Sequence, residues 1–199
     1  MWDWLTLLLI GLLLVRLWSM GCDRGEVEMG ADSDSDPDPA NHCPDVWGGC
    51  EMTPSDACIN LIKRFEGCRL GAYPDPGTGG DPWTIGYGHT GPEVHQGLWI
   101  SQNQADAYLR KDVSHFAEGV DKLVSDSVPI TQAQFDAMCS LAYNIGLGNF
   151  RTSTVLRKLH DGDAISAAKG FMLWTKAAGR ELPGLVTRRA AEQALFQLG

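Results

Sequence analysis

The chain has 199 residues, 44% of them apolar, and a formal charge of −9 at pH 7. That length bounds it to one compact domain, or two at most, and the apolar share is ample for a core. No basic stripe with interleaved aromatics exists, which excludes a nucleic-acid surface, and the acidity is local: residues 19–56 hold ten acids against Arg24 alone, whereas residues 57–199 are neutral.

Trp4 to Val15 is an uncharged run of 12 residues, extended to Trp18 only by accepting Arg16. A spanning helix needs ~20 apolar residues, or ~17 at the short limit, so this run lies at the edge of a span and within the length of a signal-peptide core. Trp2, Trp4 and Trp18 suit the two membrane interfaces, with Arg16 reaching the headgroups. Residues 18–22 lack the small residue three before a cleavage point, and they make a poor lipoprotein signal. Asp3 without a neighbouring Lys or Arg runs against an N-inside orientation. Residues 1–18 are therefore read as an uncleaved export anchor, with a cleaved signal and translation from Met20 as alternatives. Residues 19–54 follow as an acidic linker. Its core, Asp-Ser-Asp-Ser-Asp-Pro-Asp-Pro, is too polar and too charged to offset the entropy of ordering.

From residue 55 onward the pattern is mostly helical. Thr53-Pro54-Ser55-Asp56 predicts a helix start with Thr53 as cap and Pro54 at the first position, and Gly67 predicts its stop. Glu66 then falls in the last turn, where the partial negative charge of the helix end disfavours a carboxylate. Around Ala72-Tyr73 and Trp83-Thr84-Ile85, alternation bounded by glycines predicts a small antiparallel sheet. Ser101 with Gln104 and Thr131 with Gln134 fit capping boxes, and the second of these helices should end at Gly146. Residues 163–174 and 183–198 read as the last two helices. Phe135, Met138, Leu141, Ala142 and Ile145 fall at helical spacing and are expected in the core.

Glu66, Asp75 and Thr84 lie within 19 positions of one another, separated by glycines. Such a set suits hydrolysis of a glycosidic bond: one carboxyl group protonates the leaving oxygen, and another polar group holds water across the sugar ring. The runs Phe65-Glu66-Gly67, Tyr73-Pro74-Asp75 and Trp83-Thr84-Ile85-Gly86-Tyr87-Gly88-His89-Thr90 resemble the active-site region of the phage-type lysozymes, the endolysins of glycoside hydrolase family 24. Residues 131–137, 142–146, 153–159 and 182–190 are similar to helices of that family in the same order, so the resemblance covers about residues 55 to 199.

The resemblance implies an α+β, mainly helical, lysozyme-like fold with its cleft between a small antiparallel sheet region and a larger helical lobe. It implies cleavage of the β-1,4 bond between N-acetylmuramic acid and N-acetylglucosamine in peptidoglycan, with Glu66 as general acid and Asp75 and Thr84 positioning the water. No cofactor and no metal are implied, and a monomer is expected. The spacing from Glu66 to Asp75 is the family's, but eight residues, 76–83, separate Asp75 from Thr84 where the family has five. The extra residues fall in a turn-rich string where insertion costs little, which leaves Asp81 as a rival second acid. The resemblance also gives His89 a supporting role and places Arg188 or Arg189 near the catalytic Glu. Asn144 either lines the cleft or caps a helix end. His89 and His95, without Cys or acid ligands at metal spacing, do not read as a zinc site.

Six cysteines, an even number, suit the oxidising periplasm, and Cys139 reads as a buried free thiol or a core disulfide partner. The anchor-like run joined to linker cysteines resembles endolysins whose N-terminus is a signal-anchor-release segment. The expected location is the host inner membrane facing the periplasm, or the periplasm itself. A lytic transglycosylase and a non-catalytic peptidoglycan-binding module are the alternatives in function.

Overall fold

The computed structural model describes residues 52–74, 79–124 and 128–199. The anchor-like run, nearly all of the acidic linker and Asp75 lie outside the described residues. The first helix, α1 (Asp56–Glu66), starts at a different cap from the one expected. Ser55, not Thr53, accepts the hydrogen bond from the Ala57 N–H. A buried acid decides this: Asp136 accepts from the Ser55 backbone N–H at 3.0 Å and from the Ser55 hydroxyl, so the start of α1 is fixed by a partner 81 residues away. Gly67 ends α1 as expected, with φ +69°, a conformation that costs glycine nothing.

Strands β1 (Arg69–Pro74) and β2 (Trp83–Gly86) form the expected antiparallel pair, with Tyr73 opposite Thr84. Residues 98–100 extend this sheet on the other side of β1. Ala72 donates to the Leu98 carbonyl and Ile100 to the Leu70 carbonyl, and Gly71 stands opposite Trp99.

Helix α2 (Gln102–Val124) opens on the expected box, in which the Ser101 N–H donates to Gln104 Oε1 and the Gln104 N–H to Ser101 Oγ. Its buried stripe of Ala105, Leu109, Val113, Ala117, Val120 and Val124 packs on β2 at one end and on α3 (Gln132–Ile145) along its length. Helix α3 has the Thr131–Gln134 capping box and stops at Gly146. It is buried nearly all round, because α1, α2, α4 (Leu147–Arg151) and α7 (Pro183–Phe196) all pack against it. Phe135, Met138, Leu141, Ala142 and Ile145 lie in the core as expected.

Helices α5 (Thr154–His160) and α6 (Ala164–Gly170) pack together, and the expected helix over 163–174 finishes as a 3-10 turn at Phe171–Trp174. A second hairpin, β3 (Lys176–Ala177) with β4 (Arg180–Glu181), was not expected. Two-residue strands are too short for alternation to register. Ala178 and Gly179, both at positive φ, make its tight turn. Among the described residues no helix is long and apolar enough to cross a membrane.

Candidate active site

Glu66 is the last residue of α1, and Arg188, one turn into α7, reaches it. Arg188 Nη1 donates to Glu66 Oε1 at 2.5 Å, and the Glu66 side chain keeps 16% of its surface exposed while that of Arg188 keeps 4%. Arg188 is itself held from behind. Its Nε donates to Glu192 Oε1 at 3.0 Å and its Nη2 to the Ser140 carbonyl at 3.3 Å. Burial pulls the proton affinity of Arg188 down, but Glu66 and Glu192 outweigh it and hold the group above the usual arginine value.

Behind Arg188 lies a second layer with no exposure at all. Glu192 Oε1 also accepts from the Ser140 hydroxyl at 2.7 Å, and Arg189 Nε stands 3.1 Å from Glu192 Oε2. That contact is an ion pair without hydrogen-bond alignment, since neither atom has a hydrogen-bond partner. Burial, only partly offset by Glu192, pushes Arg189 down to about 10. Asn144 accepts from Arg189 Nη2 at 2.8 Å. Its side-chain carbonyl thus faces the buried arginine. Two acids and two arginines alternate from Glu66 inward, so the charges balance without solvent.

On the sheet, Thr84 is fully buried, and its hydroxyl has no hydrogen-bond partner among the described residues. An orphaned buried hydroxyl costs stability unless something else satisfies it. Tyr143 connects the sheet to Glu66. Its hydroxyl donates to the Tyr87 carbonyl at 3.2 Å, and its proton affinity is raised by burial first and then by the charge of Glu66, with Asp112 and Tyr73 adding to it. The end of β1 that carries Tyr73, paired with Thr84, therefore lies within electrostatic reach of the same tyrosine as Glu66.

His89 is buried between two carboxylates, with Nδ1 2.9 Å from Asp112 and Nε2 3.0 Å from Glu93, and it stacks on Tyr108 at 4.2 Å. Both ring nitrogens face carboxylate oxygens, an arrangement that favours the protonated ring. Burial lowers its proton affinity, but the bonds and charges of Asp112 and Glu93 prevail and raise it above the usual value. This clamp joins the loop after β2 to α2. Asp81, the rival acid, lies just before β2 and also makes an interaction. Asp75 directly follows β1, outside the described residues.

Sequence reasoning missed Glu192, Ser140, Tyr143, Asp112 and Glu93. The spacing of four from Arg188 to Glu192 on one helix was a usable sign. Nothing in the sequence linked Ser140 to Glu192 across 52 positions. Of the six cysteines, Cys58, Cys68 and Cys139 are free thiols, and burial pushes Cys58 and Cys139 well up and so makes them unreactive. Cys139 is thus the buried free thiol and not a core disulfide partner.

A family model described as phage lysozyme matches residues 63–192, which include Glu66, Thr84 and the Arg188–Glu192 layer. The chain belongs to the phage lysozyme family. It is 48% identical over 148 residues to an endolysin of Bacillus phage B103, a match covering 74% of this chain and 55% of that protein. The chain thus spans about half the length of such relatives. A protein of Enterobacteria phage P21 named SAR-endolysin is 38% identical over 117 residues, covering 59% of this chain and 70% of its own. Among solved structures, the muramidase domain of SpmX from Asticaccaulis excentricus superposes with a TM-score of 0.64 at 41% identity, covering 71% of this chain and 95% of that one. These neighbours agree with the lysozyme-like, mainly helical architecture expected of the chain.

Proposed function

We propose that this member of the phage lysozyme family is an endolysin that hydrolyses the β-1,4 bond between N-acetylmuramic acid and N-acetylglucosamine in peptidoglycan. The observation that carries the reading is a half-buried Glu66, oriented by a buried arginine, together with a Thr84 hydroxyl that no group among the described residues satisfies. Glu66 in its protonated form gives a proton to the leaving glycosidic oxygen. Arg188 then stabilises the carboxylate that remains, because a guanidinium already in place needs no reorganisation as charge develops. Thr84, with Asp75, holds the water that attacks from the opposite face. Water held by a carboxylate and a hydroxyl, without a carboxylate nucleophile, gives inversion, with the Glu66 and Asp75 carboxyl groups ~6.5–9.5 Å apart.

His89 serves as a positioning residue for the loop after β2, Arg188 as the partner of Glu66, and Asn144 as support for Arg189. The relatives named SAR-endolysin support reading residues 1–18 as an export anchor that carries the enzyme to the inner membrane facing the periplasm, from which it is released.

Glu66→Gln tests the reading, since the amide keeps the shape but cannot donate an acidic proton. Lytic activity should vanish while the circular dichroism spectrum stays unchanged; activity within threefold of wild type would overturn the assignment. Mass spectrometry of digested peptidoglycan separates the alternatives: a reducing muramic end marks a hydrolase, an anhydro end a transglycosylase, and no product a binding module. NMR of fresh product should show inversion. Asp81→Asn should be mild and Asp75→Asn severe, and the reverse would name Asp81 as the second acid.

A further inference from the structure

The sheet has two faces, and contact with the hydrophobic core tells them apart. Leu70, Ala72, Trp83, Ile85, Leu98 and Ile100 all pack on the hydrophobic core. The alternate positions Gly71, Tyr73, Thr84 and Trp99 therefore share the opposite face. The β1–β2 register shifts between Arg69 and Tyr73, but Tyr73 stands opposite Thr84 and Gly71 opposite Trp99, and cross-strand partners point the same way. Trp99 thus lies on the face that carries the Thr84 hydroxyl, on the outer neighbour of β1. It differs from every other residue there in being 77% exposed.

The indole is not loose. A Cβ added to Gly71 would meet Trp99 ring atoms at 3.0–3.2 Å, so the ring lies against the β1 backbone at Gly71, and a larger residue there would push it by a few tenths of an ångström. The other side is open. Two residues before Gly71 on β1, the guanidinium of exposed Arg69 sits 4.8 Å from the Tyr73 ring centroid, so a cation and an aromatic ring adjoin there. Packing explains Gly71, but it does not explain a tryptophan that is 77% exposed, where it buries little apolar area.

We propose that Trp99 and Arg69 form an outer subsite for the peptidoglycan strand, in which a sugar ring stacks on the open indole face and Arg69 pairs with a carboxylate of the muramic acid substituent. This rests on the proposed muramidase reading. Pyranose rings present flat C–H faces that stack on aromatic rings, and the peptidoglycan strand carries regularly spaced carboxylates, which a guanidinium holds as a paired fork. Standard strand spacings put the Trp99 and Thr84 Cα atoms about 12 Å apart, farther than one sugar ring reaches from the bond being cut. The subsite therefore acts on substrate length and leaves the chemical step untouched.

The test compares the full-length protein with its Trp99→Ala, Trp99→Phe and Arg69→Gln variants. Each is assayed on intact peptidoglycan and on the shortest muropeptide oligomer that wild type cleaves. Trp99→Ala should raise KM on intact peptidoglycan roughly three- to tenfold with kcat within twofold, the range that loss of one aromatic stacking contact gives. Its parameters on the short oligomer should be unchanged, and Trp99→Phe should recover most of the loss. Arg69→Gln should raise KM less on glycan stripped of its peptides than on glycan that carries them. Equal KM for wild type and Trp99→Ala on intact peptidoglycan would overturn the subsite, as would an equal loss on long and short substrates. Glu66→Gln assayed in parallel keeps the two proposals apart: if it is dead while Trp99→Ala is unaffected, only the subsite fails, and if it is active, the muramidase reading fails.

Discussion

Glu192→Gln should be among the most destabilising single substitutions in this chain, although Glu192 touches no solvent. Its carboxylate lies 3.0 Å from Arg188 Nε and 3.1 Å from Arg189 Nε, and both arginines are buried. The amide keeps the shape and one acceptor oxygen, but it leaves Arg189 without any carboxylate and Arg188 with Glu66 alone. Removing one partner from a buried ion pair costs about 3–5 kcal/mol, mainly because the remaining charge stays desolvated. Against a total stability of about 5–15 kcal/mol this is a large fraction. For a domain of this size it lowers Tm by on the order of 10 °C. Urea unfolding followed by circular dichroism at pH 7 measures the loss. The paired change Arg189→Met with Glu192→Leu should cost less than Glu192→Gln alone, because it removes one charge of each sign and leaves Arg188 paired with Glu66. A loss under about 1 kcal/mol for Glu192→Gln, or a paired variant weaker than the single one, would refute the account of a balanced buried ladder.

Thr84→Val should lose most lytic activity while stability holds or rises by about 1 kcal/mol, since a methyl group replaces a buried hydroxyl that has no partner among the described residues; a matching loss of stability in thermal melts would count against a functional hydroxyl. His89 has its proton affinity raised in the folded state by Asp112 and Glu93, so its contribution to stability is complete below its unfolded value of about 6.5 and is lost as pH rises through the folded value. Unfolding measured from pH 5 to 9 should therefore show a decline with rising pH that Asp112→Asn flattens, and parallel curves would remove His89 as the cause. Asp136→Ala should weaken the fold and the activity together, because Asp136 holds the Ser55 cap of the helix that ends at Glu66; a loss of activity without a change in the urea midpoint would place Asp136 elsewhere. The domain from residue 53 onward and the full-length protein in membranes, each with and without reductant, should differ in lytic activity if the anchor and linker cysteines hold the enzyme idle. Equal activity in all four samples would leave the anchor as an address only.

What the sequence determined by itself was local. The stop at Gly67, the capping boxes at Ser101 and Thr131, the apolar stripe of α3 and the hairpin around Thr84 each follow from neighbouring residues, and each stands in the structure where the pattern put it. Glu66 and Thr84 stand out for the same reason, since a helix-ending acid and a strand hydroxyl sit close together in the chain. The cap of α1 was misplaced by two residues, because the deciding partner, Asp136, is remote and no spacing rule reaches it. The short β3–β4 hairpin escaped because two residues carry no period. Only the tertiary structure brought Arg188, Glu192, Arg189, Ser140 and Asn144 into one buried layer behind Glu66. Charged residues on a helix read as a solvated face until packing removes the solvent. Which of them lose it depends on how α7 seats against α3, and that is decided by the summed shape of the core and not by any one segment.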